Sequence, residues 1–381
     1  MSSTERKRTT LTGHEKKCFA FLRYALNPAL HEAPDMSDDD WLRLYHFANT
    51  HKILGIVFDG ITRLKEQGIA PPRKVLMKWI SHVVGYNKQN RILNETAIKM
   101  AALAESNGLR CCLLKGQGNN LMYPNVYSRT PGDIDMWVAT ADYRIDPRAV
   151  LRFVRSHNPR GCTQYHHIDY GKCNGIDVEM HYRPSFMSNP LHNRRLQRWF
   201  IENARPQFEH VVILPDEAGS IAVPRAEFNA VFQLSHIYNH LLFEGIGMRQ
   251  IIDYYYVLQN VERTDGLADT LRHLGLQKIG GAVMWVLHNV LHMEEKRLIT
   301  AQDETLGHLL FGEIMRSGNF GASDKDVPVL HSNSRIGIMK YKIAHHTQRL
   351  YRDMRMMRYF PSECIFEPLY RSRHFLWRLT H

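Results

Sequence analysis

The chain has 381 residues, 44% of them apolar and 23% charged, a globular composition that leaves room for more than one core and excludes wholesale disorder. Mean hydropathy is −0.37, and no apolar run approaches the ~18 residues of a membrane-spanning helix, so no membrane span is expected. Net charge is +11, which favours polyanionic partners such as nucleotides, nucleic acid or an anionic membrane surface; ten Lys/Arg against three acids place +7 of it in residues 335–381.

The polar, basic start at residues 1–10 is followed by no apolar segment of the kind a secretory signal needs. The six cysteines show no CxxC spacing and read as reduced thiols. A cytoplasmic protein is therefore expected.

In chain order, the first hundred residues read as helical. Ser37 and three aspartates precede Trp41, Leu42, Leu44, Tyr45 and Ala48, the acid-rich start of an amphipathic helix. A second helix is expected from about Ile53 to Gln67, stopping at Gly68 and the Pro71-Pro72 pair. A long third, from about Arg73 to Ser106, ends at Asn107-Gly108. The period then changes. Residues 109–114 form a short apolar run of strand length that ends at Lys115-Gly116, and residues 133–138 form a second. Tyr165 to Tyr170 and Gly175 to Tyr182 read as a hairpin around a turn at residues 171–175. From about Pro224 to Met293 the pattern is helical again, and the last 45 residues read as basic helix broken at Pro361. The expected class is α+β: a small mixed sheet core at residues 95–215, between an N-terminal helical region at 1–94 and a C-terminal helical region with a basic tail at 216–381.

Strand side chains alternate faces, so Asp133 and Asp135 project together while Ile134 and Met136 face the other way. Paired carboxylates repel one another unless a cation sits between them, and oxygen-only ligands favour Mg²⁺. The same parity recurs in the later strand, where Asp177, Glu179 and His181 share a face. If the two strands pair, a third carboxylate completes a two-metal site of the kind used in phosphoryl transfer. Parity alone does not separate Asp177 from Glu179. The junction at Lys115-Gly116, with a short helical segment behind it, offers backbone N–H groups to phosphate. Lys115 and Arg129 add positive charge there.

The run LLKGQGNNLMYPNVYSRTPGDIDMWV, followed by VEMHYRP, resembles the uncharacterised nucleotidyltransferase family of the DNA polymerase β-like superfamily. The matching residues are Lys115, Gly116, Arg129, Asp133, Asp135, Glu179 and His181. Asp40, Trp41, Ala48 and His51 resemble the family's N-terminal helical region, and residues 247–253 its helical segment after the sheet. Lys115-Gly116 stands where the wider superfamily has Gly-Ser, so triphosphate contacts of other relatives do not transfer simply. The resemblance implies a polymerase β-like core in which Asp133 and Asp135 bind two Mg²⁺ ions. Glu179, favoured over Asp177 by the family's Glu-x-His pattern, would complete the ion beside the acceptor hydroxyl. It also implies in-line attack on the α-phosphate of an NTP, the donor substrate, with release of pyrophosphate. Lys115 and Arg129 would neutralise the β- and γ-phosphates, with Gly116 and His181 beside the nucleotide. A small-molecule acceptor is favoured over RNA or protein. The alternatives are a catalytically silent nucleotide-binding or interaction protein on the same fold, and an RNA-end nucleotidyltransferase.

Other features have plainer readings. His166 and His167 are adjacent, so on a strand only one can face the site. His236 and His240 share a helix face but lack the Glu of HExxH, and they are expected to wall a pocket rather than bind zinc. Arg249 and Asp253, four apart, read as a helix salt bridge. The Tyr254–Tyr256 run and Met354, Met356 and Met357 read as packing. The basic tail reads as a solvated face that also bonds local carboxylates.

Overall fold

The computed structural model describes residues 11–318 and 334–372; the polar start at residues 1–10 and the last nine residues of the basic tail lie outside the described residues. The described residues begin with the helices α1 (Gly13–Leu26), α2 (Asp38–Thr50) and α3 (Leu54–Lys65). The acid-rich start of α2 forms a capping box, in which the Asp40 amide donates to Ser37 Oγ and the Ser37 amide donates to Asp40 Oδ2. The helix α4 (Arg73–Ser106) runs for 34 residues, about 51 Å at 1.5 Å per residue. It ends where Asn107-Gly108 was expected to end it.

The sheet follows, in the chain order β1 (Leu109–Leu113), α5 (Gln117–Asn120), β2 (Ile134–Thr140), α6 (Pro147–His157), β3 (His167–Cys173), β4 (Ile176–His181), α7 (Pro190–Glu202), α8 (Arg205–Phe208), β5 (Val211–Leu214) and β6 (Gly219–Ala222). Its six strands lie in the order β3-β4-β2-β1-β6-β5. Neighbours β2 and β4 run parallel, as do β1 and β6; the β1–β2, β3–β4 and β5–β6 pairs are antiparallel. The fold is thus a mixed α+β one. The β3–β4 hairpin turns at Asn174-Gly175, both with positive φ (51° and 80°), rather than over the five residues 171–175. A two-residue turn with that geometry matches the right-handed twist of its strands, and Asn-Gly is the pair that adopts it most readily. The β5–β6 hairpin and helices α6 and α7 were not anticipated. Each β5 or β6 strand is only four residues long, too short for its alternation to stand out.

The helical stretch expected from Pro224 to Met293 resolves into α9 (Ala226–Phe243), α10 (Met248–Gln259), α11 (Leu267–Leu274) and α12 (Gln277–Asn289). Then come α13 (Glu304–Ser317), α14 (Arg335–Met357) and α15 (Pro361–Cys364), the last with Pro361 at its first turn.

The sheet separates two apolar cores. One face carries Ile134, Met136, Val138, Val178 and Met180 and packs on α6 and the second half of α4 through Leu93, Ala97 and Met100. The opposite face carries Cys112, Trp137 and Ala139 and joins a larger core built from both helical regions. Trp137 stacks on Phe228 of α9, with ring centroids 5.5 Å apart and an interplanar angle of 17°. Since Asp135 is two residues from Trp137 on the same strand, it faces that side, toward the C-terminal helices.

Candidate active site

Register brings the acidic residues together. Parallel pairing sets Asp135 opposite Glu179 and Trp137 opposite His181. Antiparallel pairing of the edge strand sets Asp169 opposite Glu179 and His167 opposite His181. Across β3, β4 and β2, one sheet face therefore presents a row of three carboxylates, Asp169, Glu179 and Asp135, beside a row carrying His167 and His181. Asp133 lies one residue before β2, at the exposed mouth. All of these groups line a cavity of about 680 Å³ between the sheet and the C-terminal helices. Asp177 lies elsewhere: it is exposed and pairs with Lys172 at 3.7 Å.

Asp135 is 2% exposed and has two cationic neighbours. Lys115 Nζ lies 3.1 Å from its Oδ2, and His181 Nε2 lies 3.0 Å from its Oδ1. Burial works against the Asp135 charge, yet Lys115 and His181 hold its carboxyl well below the usual carboxylate range. His181 Nε2 is also 3.2 Å from Glu179 Oε2, while its Nδ1 faces the Arg183 carbonyl at 3.3 Å. A carbonyl and two carboxylates can only accept, so both ring nitrogens carry hydrogen. Burial opposes that charge, but the bonds to Asp135 and Glu179 raise the His181 pKa to about 9. Burial also opposes the Lys115 ammonium, and the surrounding Asp135, Asp133 and Glu179 keep it above its ordinary value. The charge of Asp135, then burial, pushes the Asp133 carboxyl up. The three carboxylates crowd one another, and two protein cations offset them.

Gly116 has φ of 59°, in the region that favours glycine, and from there the chain enters α5, a single turn of four residues. That turn is fixed by buried amides. Gln117 Nε2 and Asn120 Nδ2 donate to Asn90 Oδ1 of α4 at 3.1 and 3.2 Å. Asn229 Nδ2 and Gln233 Nε2 of α9 donate to Asn119 Oδ1 at 3.1 and 2.8 Å. Their burial positions Lys115 from both sides. None of these amides was singled out from the sequence; four consecutive polar or glycine residues, QGNN, behind a strand were the only local signal.

Arg129, expected beside the phosphates, lies on the cavity wall with its guanidinium engaged. Nε donates to Asp253 Oδ1 at 2.8 Å and Nη2 to Asp253 Oδ2 at 3.0 Å, while Tyr123 Oη donates to Oδ1 at 2.5 Å. Asp253 was read as the helix partner of Arg249; the structure joins it to Arg129, 124 residues away in sequence. Arg249 lies against Gly132, where a Cβ would stand 3.7 Å from Nη1.

Both His166 and His167 reach the cavity, contrary to the expectation that one would turn away. His166 precedes β3, so strand alternation does not govern it. Its Nε2 lies 3.1 Å from His167 Nδ1. His236 and His240 wall the cavity as anticipated: Lys115 Nζ lies 3.3 Å from His236 Nε2, which lies 2.8 Å from His240 Nε2. Burial, then the Lys115 charge, pushes the His236 pKa well down. The far wall comes from the end of the chain. Phe186 stacks on Tyr370 at 4.9 Å and on Phe243 at 5.9 Å. In the described part of the basic tail, Arg355 pairs with Glu313 at 2.7 Å and Arg371 with Asp353 and Glu367 at 3.2 and 2.6 Å.

No helix among the described residues is long and apolar enough to cross a membrane. No curated protein and no solved structure matches the chain. A family model described as an uncharacterised nucleotidyltransferase matches residues 37–292, about two thirds of the chain.

Proposed function

The chain belongs to the uncharacterised nucleotidyltransferase family, and from that premise we propose that it moves a nucleoside monophosphate from an NTP to an acceptor hydroxyl, releasing pyrophosphate, in a Mg²⁺-dependent reaction. The observation that carries this reading is the placement of Asp135 opposite Glu179 on parallel neighbours, on the wall of a cavity that also holds Asp133 and Lys115. The donor set fits a divalent cation. Asp135 and Glu179 bring carboxylate oxygens within 4.8 Å of one another, and crowding by Asp135 already raises the Asp133 carboxyl. Asp133, Asp135 and Glu179 would hold two Mg²⁺ ions. Bound there, magnesium lowers the pKa of an attacking hydroxyl and offsets charge on the phosphates and leaving group.

The chain's own residues supply the rest. Lys115 exchanges its contact with Asp135 for a phosphate oxygen, and His236 accepts from the same ammonium and keeps it at the cavity. Arg129, gripped by Asp253, braces the segment that leads to Asp133, so the phosphate charge falls chiefly to Lys115. Gly116 allows the tight exit from β1 that brings Lys115 to the mouth. The acceptor, a small molecule rather than RNA or protein, enters beside Phe186, Phe243 and Tyr370, whose stacked faces suit a planar group. Ion pairing of Arg355 and Arg371 within the fold argues against a phosphate-tracking stripe there.

The test is thermal unfolding with each NTP, with and without Mg²⁺. A ligand at about 100 times its dissociation constant adds roughly 2.7 kcal/mol. A Mg²⁺-dependent rise with at least one NTP, lost in Asp135→Ala, is expected. A rise of the same size in Asp135→Ala would sink the two-metal assignment.

A further inference from the structure

The carboxylate row is not chemically uniform along its length. At the β2 end, Asp133 and Asp135 offer oxygen alone, with Lys115 and His181 over them. At the β3 end, the edge of the sheet, Asp169 and Glu179 flank an imidazole. His167 Nε2 lies 3.2 Å from Asp169 Oδ1, and His167 Nδ1 lies 3.3 Å from Glu179 Oε2. One ligand atom from each of the three lies within 4.8 Å of the other two. The two His167 contacts use opposite ring nitrogens, so one ion takes a single His167 nitrogen together with one carboxylate oxygen from each of Asp169 and Glu179, three atoms within a 4.8 Å span that bonds of ~2.0–2.1 Å close with small side-chain rotations.

Burial divides the three usefully. The His167 side chain is 10% exposed and held in place, whereas those of Glu179 and Asp169 are 28% and 42% exposed. A fixed nitrogen with two half-open carboxylates leaves coordination positions for water or substrate. The strand is shaped to end the site there. Its pairing slips at Tyr170, between Asp169 and Gly171, and Gly171 has φ of 100°. Such a bulge re-aims side chains next to functional sites. Beyond it the facing residues are Lys172 and Asp177, paired with each other at the surface.

We infer that His167, Asp169 and Glu179 form a binding site for a divalent first-row transition ion, of the Mn²⁺ to Zn²⁺ class, with Glu179 shared between it and the oxygen-only end at Asp133 and Asp135. Imidazole suits these borderline ions, while Mg²⁺ prefers oxygen and dehydrates reluctantly. The two ends of the row thus select different cations. The inference goes beyond nucleotidyl transfer and does not depend on it.

The test uses the full chain, stripped of metal by chelator and dialysis, with Mn²⁺ alone as the probe. Electron paramagnetic resonance counts bound Mn²⁺, and pulsed electron spin echo detects ¹⁴N coupling from a coordinated imidazole. Wild type is expected to show a nitrogen-coupled Mn²⁺ that equimolar Mg²⁺ does not displace. His167→Gln should abolish the nitrogen coupling and weaken that ion more than about tenfold. Asp169→Asn should weaken it similarly with the coupling retained at saturation, and Asp135→Asn should leave the coupling in place. Melting curves of each variant confirm that the protein is folded. Absence of ¹⁴N coupling in wild type, its survival in His167→Gln, or displacement by equimolar Mg²⁺ would each overturn the inference. Mg²⁺-dependent stabilisation by an NTP without nitrogen-coupled Mn²⁺ overturns this site alone. Nitrogen-coupled Mn²⁺ without any NTP response tells against the nucleotide reading alone.

Discussion

Replacing Asp253 by Asn removes one charge and almost no volume, and it does so where the protein has least means of compensating. Arg129 and Asp253 have side chains only 7% exposed, joined by two hydrogen bonds of 2.8 and 3.0 Å. Asn retains one acceptor for the guanidinium but leaves its positive charge unpaired in a low-dielectric setting. Breaking a buried pair from one side costs about 3–5 kcal/mol, a large part of the ~5–15 kcal/mol that holds a typical domain folded. Little of this is recovered from solvent, because both side chains are only 7% exposed where they meet the cavity wall. The assay is urea unfolding followed by tryptophan fluorescence, with the loss read as a lower midpoint at unchanged slope. The triple variant Arg129→Met, Asp253→Leu and Tyr123→Phe removes both charges and the hydroxyl that Asp253 accepts from, and is expected to return to within about 2 kcal/mol of wild type, since a buried pair is readily replaced by apolar contacts. A loss below about 1 kcal/mol in Asp253→Asn would refute the reasoning, because the Arg129 charge would then be compensated without Asp253.

Burial pushes the His51 pKa down to about 4, with the Phe47 ring 4.7 Å away. The unfolded chain takes up that proton first, near the ordinary ~6.5, so the stability contributed by neutral His51 is complete above pH ~6.5 and declines as pH falls toward 4, by up to about 3 kcal/mol. His51→Leu should flatten chemical-denaturation stability across that window, and an unchanged slope would contradict it. Gly55 sits in the first turn of α3, where a Cβ would overlap the Ser128 backbone carbonyl. Gly55→Ala is therefore expected to cost about 1–3 kcal/mol on melting, as overpacking does, and an unaltered melting temperature would argue against that close approach. Lys115→Met should weaken Mg²⁺–NTP binding more than about tenfold by calorimetry, by removing a charge-assisted phosphate contact, and unchanged affinity would remove Lys115 from the phosphate site.

The parts of the site readable from sequence are those that rest on period alone. Alternation in DIDMWV and in IDVEMH puts Asp135, Glu179 and His181 on faces that the sheet then aligns. The capping signal at Ser37 and the Asn107-Gly108 stop also act within a few residues, and the helices there begin and end close to where they were expected. What escaped depends on partners far away in the chain. Asp169 and His167 gain their meaning from register across a hairpin whose bulge shifts parity at Tyr170. The Arg129–Asp253 pair spans 124 residues, and a nearer candidate, Arg249, offered itself first. The amides of Asn90, Asn119 and Asn229 look like ordinary surface residues until three elements close over them.

The helix α4 carries a consequence for how the molecule comes apart. Trp79 near its start is fully enclosed, its ring against Tyr45 of α2 and its Nε1 donating to the Leu54 carbonyl of α3, and Ala97, eighteen residues on, is fully enclosed beneath the sheet. A single rod of about 51 Å is thus rooted at both ends. Neither half can melt without fraying the support of the other, and a fragment cut to the sheet alone would expose the face that Trp137 buries on Phe228. A ligand clasped at Asp135 therefore also slows the unravelling of helices that never touch it, and amide exchange in α2 and α3 would register its arrival.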